Sequence, residues 1–247
     1  MLPNKKLKNS NLLVSGCSYT DSQFWIKRGK GPCWPDFLTE KLNMNLINVA
    51  QGGAGNEYIY SSILDTLVVN KNIKFVIVMW SEFQRTDFER LYDSRTKRKW
   101  TTLHYPRYFG NEWGNVVTDI LLEHGIGYPS TITKKSLRFF YTFQEMMKSM
   151  KIPFLQVSGC CPLSDHGEEY RQLHAIKEII DSPYLNKIEE KTFIGWPLFK
   201  EIGGYCMEDI LDKSSNNRMI GDDHPNEKGH KEMSEFLYMW MKKHDHI

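Results

Sequence analysis

The chain is predicted to form an α/β fold with a doubly wound, mainly parallel sheet and helices on both faces. Three or four short apolar runs, typical of buried parallel strands, alternate with longer segments whose apolar residues recur at helical spacing. Small polar residues or glycines follow directly after the first two runs, which is where an open parallel sheet builds its sites. Strands joined by helices imply right-handed crossovers, so the carboxyl ends of the strands should meet at one edge.

Length and composition favour one globular domain over residues 1–247. Of the 247 residues, 40% are hydrophobic and 25% are charged, and the formal net charge is +2. A charge this small does not indicate a nucleic-acid or strongly acidic partner. The apolar runs are too short for a membrane span or a signal-peptide core, so we expect a protein of the reducing cytoplasm.

The first strand is predicted over residues 12–14 and leads to Gly16. Glycine permits a sharp backbone turn, and Ser18 then stands at that turn with its N–H facing the same space as its hydroxyl. A serine in this position can attack an acyl carbon while its amide helps to hold the oxyanion. The alternative interpretation is an ordinary polar loop between a strand and a helix.

The second strand, residues 46–50, leads into a glycine-rich loop that contains Gly53 and Asn56, and a helix follows. A loop of this kind can also cradle a phosphate at a helix N-terminus, which leaves phosphoryl chemistry as a weaker alternative. The glycine spacing fits neither the dinucleotide fingerprint nor a P-loop, so nucleotide binding is disfavoured.

The third strand, residues 74–80, is the clearest because its apolar run is unbroken. Ser81 follows at the end of this strand and is expected at the site, along the same sheet edge as Ser18, Gly53 and His224. Arg85 lies just beyond, where it either enters the site or forms a surface salt bridge. A long helix ending near residue 150 and a strand over residues 152–158 continue the alternation.

Residues 82–130 interrupt that alternation and are predicted to form an aromatic-rich insertion, while residues 160–220 form an irregular variable region. A connection as long as residues 82–130 is usually functional or has structure of its own. Two interpretations stand equally: a cap whose rings stack on a substrate, or a satellite core with a charged face. The residues concerned are the aromatic Phe83, Phe88, Tyr92, Trp100, Tyr105, Tyr108, Phe109, Trp113 and Tyr128 and the basic Arg95, Lys97, Arg98 and Lys99.

Near the other end of the chain, His224 precedes Pro225, which disfavours helical backbone at the residue before it. Asn226 is the predicted cap of a helix that follows. His224 is therefore predicted to lie at a helix entrance beside Asp222 and Asp223, an arrangement that suits a general base oriented by an acid. A lone histidine would otherwise have a surface or capping role.

The cysteines show no metal-binding or disulfide pattern. None of the five forms a Cys-x-x-Cys pair, and an odd, scattered set argues against a disulfide framework or a structural zinc site. Cys17, next to Ser18, is either a reactive thiol or a small buried residue at the end of a strand, and we expect the second. The five are Cys17, Cys33, Cys160, Cys161 and Cys206.

In chain order, these motifs resemble those of the SGNH (GDSL-type) hydrolases. Residues 16–20 are similar to the first block of that family, with Cys17 where the family usually has Asp, residues 48–53 are similar to the second block, and residues 222–225 to the last. The resemblance implies a flavodoxin-like sheet and ester hydrolysis, with Ser18 as the nucleophile and His224 as the base. It also implies that the Gly53 N–H binds the oxyanion and that no metal or organic cofactor is needed.

The third block of that pattern is altered as well as the first. The family ends its third strand with Gly-x-Asn-Asp, whose Asn completes the oxyanion hole, whereas this chain has no Asn after Trp80. Either Asn56 substitutes for it, or the hole has two donors. The substrate would be a small-molecule, glycan or lipid ester. The competing class is a binding or structural protein on the same scaffold, because a fold does not determine a function.

The acid that serves His224 is also displaced, because Gly221 occupies the position three before the histidine. In an extended segment alternate side chains share a face. Asp222 is therefore predicted to orient His224, while Asp223 points away.

Overall fold

The structure is a computed structural model that describes residues 10–29, 31–93, 98–104, 112–163, 169–214 and 216–247. The strands are β1 (Asn11–Ser15), β2 (Asn45–Asn48), β3 (Ile73–Trp80), β4 (Arg85–Asp93), β5 (Arg98–His104), β6 (Phe154–Ser158), β7 (Phe193–Ile194), β8 (Arg218–Met219) and β9 (Asp222–Pro225). The helices are α1 (Ser22–Ile26), α2 (Trp34–Leu42), α3 (Asn56–Val69), α4 (Glu112–Glu123), α5 (Pro129–Met150), α6 (Glu169–Ile180), α7 (Met207–Leu211) and α8 (Glu227–Lys243), with a short 3-10 helix at Lys200–Ile202.

A five-stranded sheet with the order β2-β1-β3-β6-β7 forms the centre of the molecule. All of its strand pairs are parallel. The predicted α/β fold with a mainly parallel sheet is therefore confirmed, and the four predicted strands are β1, β2, β3 and β6. The edge strand β7 was not predicted, because two residues are too few to form a recognisable pattern.

The sheet separates two apolar cores, because alternate residues of a strand point to opposite faces. From β3, Val76 and Val78 enter one core and Ile77 and Met79 enter the other. Helices α3 and α5 cover the first core, while α2 and α8 cover the second. Every residue of β3 except Lys74 is buried, which explains its unbroken apolar run.

The region predicted as an insertion contains the antiparallel ribbon β4–β5 and helix α4. The ribbon is joined to the start of α3 by Asp87, whose carboxylate accepts the N–H groups of Gly55 at 2.8 Å and Tyr58 at 2.9 Å. Asp87 thus satisfies donors at the N-terminus of a helix that is distant in sequence. Burial raises the pKa of the Asp87 carboxyl, although these hydrogen bonds oppose the rise.

The aromatic residues predicted for this region have different environments. Phe83 is buried in the main core, and Trp100 packs edge-on against Tyr58 with ring centroids 5.8 Å apart. Phe88 and Tyr128 are exposed. Tyr105, Tyr108, Phe109, Arg95 and Lys97 lie outside the described residues, as do the side chains of Tyr92, Arg98 and Trp113.

The capping prediction for the last helix is confirmed: Asn226 precedes α8 and its side chain accepts the Gly229 N–H at 3.0 Å. Within the ranges that the structure describes, no helix combines the length and apolar character that crossing a membrane requires.

Candidate active site

Ser18 lies in a tight loop after β1, at the carboxyl edge of the sheet. The loop needs glycine at position 16, because a Cβ there would lie 2.3 Å from the Thr20 hydroxyl oxygen. The indole Nε1 of Trp25 donates a hydrogen bond to the Ser18 carbonyl at 2.8 Å. The backbone of Ser18 is therefore fixed by buried contacts, while its side chain reaches a cavity.

Asp21 connects this first loop with the glycine-rich second loop. Its Oδ1 accepts the N–H groups of Gln23 and Phe24 and so caps α1, while its Oδ2 accepts the Gly52 N–H at 2.8 Å. The Asp21 carboxylate thus joins the serine loop to the glycine-rich loop. The sequence alone does not reveal this role, because an acidic residue at a helix start is its only local signal.

His224 lies in β9, which pairs in antiparallel fashion with β8. The ring Nε2 is 2.8 Å from the Ser18 Oγ, although the two residues are 206 positions apart in sequence. The ring Nδ1 is hydrogen-bonded to Asp222 Oδ1, which also accepts the His224 backbone N–H at 3.0 Å. The structure therefore brings Ser18, His224 and Asp222 into one continuous series of hydrogen bonds.

The Asp222 carboxylate is held in its ionised form. Partial burial opposes ionisation, but the hydrogen bonds from His224 and the nearby Arg28 guanidinium lower the pKa of Asp222. Arg28 Nη1 is 3.6 Å from Asp222 Oδ2, and its guanidinium stacks on the Phe24 ring at 3.9 Å from the centroid. An ionised carboxylate on Nδ1 leaves Nε2 free to accept the Ser18 proton.

The carboxylate of Asp223 makes no contact with His224 among the described interactions. Its backbone carbonyl is instead bound by Arg218 Nη1 and lies 3.0 Å from the Tyr19 hydroxyl. Burial raises the pKa of Tyr19, so its hydroxyl keeps the proton that it donates. These contacts anchor the β9 backbone to the serine loop.

Three aromatic rings surround the His224 imidazole. The ring centroids of Tyr19, Phe24 and Trp25 lie 5.6, 5.3 and 5.7 Å from that of His224. Two of these residues belong to α1, which directly follows the serine loop. The sequence alone does not reveal these contacts, because nothing local indicates which distant ring the side chains of α1 will meet.

Two backbone N–H groups, those of Ser18 and Gly53, are candidates for binding an oxyanion. Within the part of the chain that the structure describes, neither N–H donates a hydrogen bond. Gly53 has φ +83°, a left-handed conformation that favours glycine. Its neighbour Gly52 is tied to Asp21, so the Gly53 loop is attached to the serine loop, although Gly53 does not line the cavity.

The expectation that Asn56 completes the oxyanion hole is not supported by its contacts. Asn56 is 4% exposed, and its Nδ2 donates to the Ser81 carbonyl and the Ser136 hydroxyl, while its Oδ1 accepts the Ser81 N–H at 2.8 Å. Both amide hydrogens are therefore engaged. Ser81 is fully buried, so its predicted place along the site is corrected as well: Asn56 and Ser81 brace the end of β3 beneath the site.

Arg85 contributes to the cavity wall. Its Nε donates to Glu82 Oε2 at 2.8 Å, and its side chain is only 10% exposed. The ion pair is therefore internal, and the predicted alternative of a surface salt bridge at Arg85 is wrong. The cavity has a volume of about 830 Å³ and is lined by Ser18, Asp222, His224 and Arg85, but not by Phe83, Phe88, Trp100 or Tyr128.

Four of the five cysteines lie in two close pairs. The Sγ atoms of Cys161 and Cys206 are 3.2 Å apart, and Cys17 shares a hydrogen bond with Cys160. All five are free thiols, and these four lie close together because the fold brings distant segments into contact. Cys17 is fully buried, as expected. The hydrogen bond with Cys160 lowers the pKa of the Cys17 thiol, although burial opposes this change.

Comparison with known proteins shows similarity in fold. No protein-family model matches the chain, and no curated protein matches it in sequence. The chain is similar to the psychrotrophic esterase EstA from Pseudoalteromonas sp., in a structure inhibited by monoethylphosphonate (TM-score 0.54, 13% identity, 95% of this chain and 98% of that chain). It is also similar to the lipase Lip_vut3 from a goat rumen metagenome (TM-score 0.51, 12% identity, 94% of this chain and 97% of that chain).

A member of the lipolytic protein G-D-S-L family from Veillonella parvula DSM 2008 matches with a TM-score of 0.47 and 13% identity over 93% of this chain and 96% of that chain. At such low identities, what the esterase and the lipase establish is the fold, and the predicted SGNH-hydrolase resemblance is confirmed at that level.

Proposed function

We propose that this protein is a serine hydrolase that cleaves a carboxylic ester. The observation that carries the proposal is the series of hydrogen bonds from Asp222 Oδ1 to His224 Nδ1 and from His224 Nε2 to the Ser18 Oγ, the latter 2.8 Å long. A nucleophile within hydrogen-bonding reach of a base, and a base oriented by a third group, are the signature of covalent acyl transfer.

In the proposed reaction, His224 accepts the hydroxyl proton as Ser18 attacks the acyl carbon. Collapse of the tetrahedral intermediate releases the alcohol, which receives that proton from His224, and leaves an acyl-enzyme. Water, deprotonated by His224, then releases the acid and restores Ser18. Asp222 stabilises the imidazolium that forms in each half of the reaction. These steps use no metal or organic cofactor.

The N–H groups of Ser18 and Gly53 would stabilise the oxyanion. Because the Asn56 amide is engaged elsewhere, the proposed hole has two donors, both of them backbone N–H groups, and lacks the third donor that an Asn side chain would supply. Removing one oxyanion donor typically lowers kcat by about 100- to 1000-fold, so we expect slow turnover relative to an enzyme with all three. Arg85 in the cavity wall would supply positive charge near the substrate.

The cavity wall supports an ester with one polar and one apolar portion. Leu163, Leu198 and Phe199 form an apolar part of the wall that suits an acyl group. Charged side chains such as Glu201 and Asp212 line other parts and suit the hydroxyl groups of a polar alcohol, as in an acylated sugar.

The test is covalent labelling of Ser18 by a fluorophosphonate probe, read by peptide mass spectrometry. We expect one adduct, on Ser18, with no adduct on the Ser18→Ala variant. Ser81→Ala is the matched control and should keep the label, because Ser81 is fully buried beneath the site. Labelling that persists in Ser18→Ala would contradict the assignment.

The second candidate is a binding protein on the same scaffold, favoured by one observation: the amide expected in the oxyanion hole is held by Ser81 and Ser136. The same experiment separates the two. A folded protein whose Ser18 remains unlabelled at high probe concentration, and which cleaves no ester of a short-acyl panel, would support the binding protein.

A further inference from the structure

Three side chains of types that bind metals lie together at the wall of the cavity. They are Cys161, Cys206 and Asp209, whose donor atoms all lie within 4.8 Å of one another. The two Sγ atoms are 3.2 Å apart, and Cys206 Sγ is 3.3 Å from Asp209 Oδ2. Cys161 and Asp209 line the same cavity as Ser18.

We propose that these three residues form a binding site for a thiophilic divalent cation such as Zn²⁺, with a fourth coordination position open to the cavity. In a tetrahedral zinc site with Zn–S of about 2.3 Å and Zn–O of about 2.1 Å, ligand atoms are roughly 3.5 to 3.8 Å apart. Small side-chain adjustments from 3.2 and 3.3 Å would therefore reach that geometry. Three protein ligands and one open position are the arrangement of zinc sites that accept water or substrate.

The Asp209 carboxylate is already oriented for this role. Lys200 Nζ binds its Oδ1 at 2.5 Å, and the Cys206 N–H donates to Oδ2 at 2.8 Å, which leaves Oδ2 directed at the cysteines. Although burial opposes ionisation, these contacts lower the pKa of Asp209, so it is a carboxylate at neutral pH. Oδ2 is thus available as a single-oxygen ligand while Lys200 holds the other oxygen.

Charge in the cavity also favours a cation. Among the side chains that line it are seven carboxylates and three cationic groups, so the wall carries an excess of negative charge. Carboxylates beyond the ligands raise the local concentration of divalent cations. The Lys200 cation opposes this effect near Asp209.

The backbone on which Cys161 lies is held firmly. Glu208 Oε2 accepts the Cys161 N–H at 2.7 Å, and Glu208 Oε1 accepts the Tyr19 hydroxyl at 2.9 Å. Outer hydrogen bonds of this kind orient metal ligands. They also connect the proposed cation site to Tyr19, which directly follows Ser18.

Binding converts two thiols to thiolates: M²⁺ and two S–H groups give two M–S bonds and release two protons. Affinity should therefore fall as the pH falls. The spacing of the cysteines does not predict this site, because Cys161 and Cys206 are 45 residues apart. The site stands independently of the proposed hydrolase activity.

The test is titration of the reduced, metal-free protein with Co²⁺, followed by absorption spectroscopy. We expect one equivalent to produce a sulfur-to-cobalt charge-transfer band together with the visible bands of tetrahedral Co²⁺, and Zn²⁺ to displace both. Cys161→Ser and Cys206→Ser should each greatly reduce the charge-transfer band. Asp209→Asn should keep the band but weaken Co²⁺ affinity at least about tenfold. Cys33→Ser, which changes a buried cysteine outside the cluster, is the matched control and should bind as the parent does.

Absence of a thiolate band in the parent protein at saturating Co²⁺ would overturn the proposal, and this readout does not depend on any variant folding. A band that survives in both Cys161→Ser and Cys206→Ser but disappears in Cys160→Ser would place the metal at the other cysteine pair. Loss of two free thiols on mild oxidation, with no cobalt band in the reduced protein, would identify a redox-active dithiol in its place.

Discussion

His224 and His230 are six residues apart, and both lie against Trp25, yet their environments are opposite. Their ring centroids are 5.7 and 4.9 Å from that of Trp25. Both ring nitrogens of His224 are hydrogen-bonded, one to Ser18 and one to Asp222. Neither ring nitrogen of His230 has a hydrogen-bond partner among the described residues, and the residue is 2% exposed.

The difference shows that the partners of an imidazole, and not its position in the chain, determine what it can do. Burial lowers the pKa of His230 to about 3, with a smaller contribution from His224, so His230 is a neutral packing residue in α8. His224 is held extended in β9, where Asp222 binds Nδ1 while Nε2 can receive and return a proton. The Trp25 ring packs in a T-shaped arrangement against both imidazole rings.

The largest effect on catalysis should come from replacing His224, the one of the two histidines that contacts Ser18. His224→Ala is expected to lower kcat by up to about 10⁶-fold, because the proton acceptor for Ser18 is lost. The fold should be retained, since His224 is partly exposed at the cavity. Initial rates on any ester that the protein cleaves, with circular dichroism as the folding control, provide the measurement. An active His224→Ala variant would contradict the assignment.

The second-largest effect on kcat should come from replacing Asp222, the carboxylate that orients His224. Asp222→Asn should lower kcat by about 10⁴-fold, because an amide on Nδ1 no longer selects the tautomer whose Nε2 accepts a proton. Asp223→Asn is the matched control and should change kcat little, since that carboxylate does not contact the ring. If the two variants ranked in the reverse order, Asp223 would be the acid, and two silent variants would indicate a Ser–His dyad.

Replacing the buried His230 should change the stability of the protein and leave its catalytic rate unchanged. Because the folded-state pKa of His230 is depressed, its contribution to stability is fully present above the unfolded pKa near 6.5 and is lost as the pH falls toward about 3. His230→Phe removes that contribution to the pH dependence. The free energy of unfolding of the variant should gain on the parent by up to about 1.4 kcal/mol per pH unit below pH 6.5.

Urea denaturation at several pH values between about 5 and 8 measures this difference. The variant should also keep its ester-cleaving rate. Parallel stability curves for parent and variant across that range would show that His230 is not held neutral by burial.

The smallest effect on kcat is expected from replacing Arg28, whose guanidinium lies near the second carboxylate oxygen of Asp222. Arg28→Gln removes an ion pair whose arginine side chain is 47% exposed, so the cost should be under about 1 kcal/mol, a change of less than about fivefold in kcat. Added salt should reduce the difference between variant and parent. Lys27→Gln, which removes a neighbouring exposed charge without this contact, is the control, and an equal effect from both would assign the change to general electrostatics.

The interior strands and the extended backbone at His224 could be predicted because they depend on local patterns. The pairing of Ser18 with His224 was expected only from the resemblance of two distant motifs to one family. An unbroken apolar run indicated β3, and the proline after His224 indicated the extended backbone that directs Asp222 and His224 to one side. Asp222 was preferred over Asp223 by the same alternation. In each case a few consecutive residues contained the information.

Contacts between distant segments were not predictable in this way. The hydrogen bond from Gly52 to Asp21, the packing of Trp25 on two histidines and the approach of Cys161 to Cys206 all depend on how helices and loops meet in three dimensions. Asn56 shows the same limit: an amide at a suitable spacing was expected in the site, but the nearby strand end had unpaired backbone groups that it satisfies.

The hydrogen bond between Ser18 and His224 joins residues 206 positions apart, and the five strands of the central sheet all precede His224. The reactive pair therefore forms only when the sheet is assembled and α8 has docked against α2. Contacts of such high sequence separation form slowly, after local helices. During refolding, the capacity of Ser18 to react with a phosphonate should therefore appear later than the circular dichroism signal of the helices. The rate at which this reactivity returns would then report when the distant segments of the site come together.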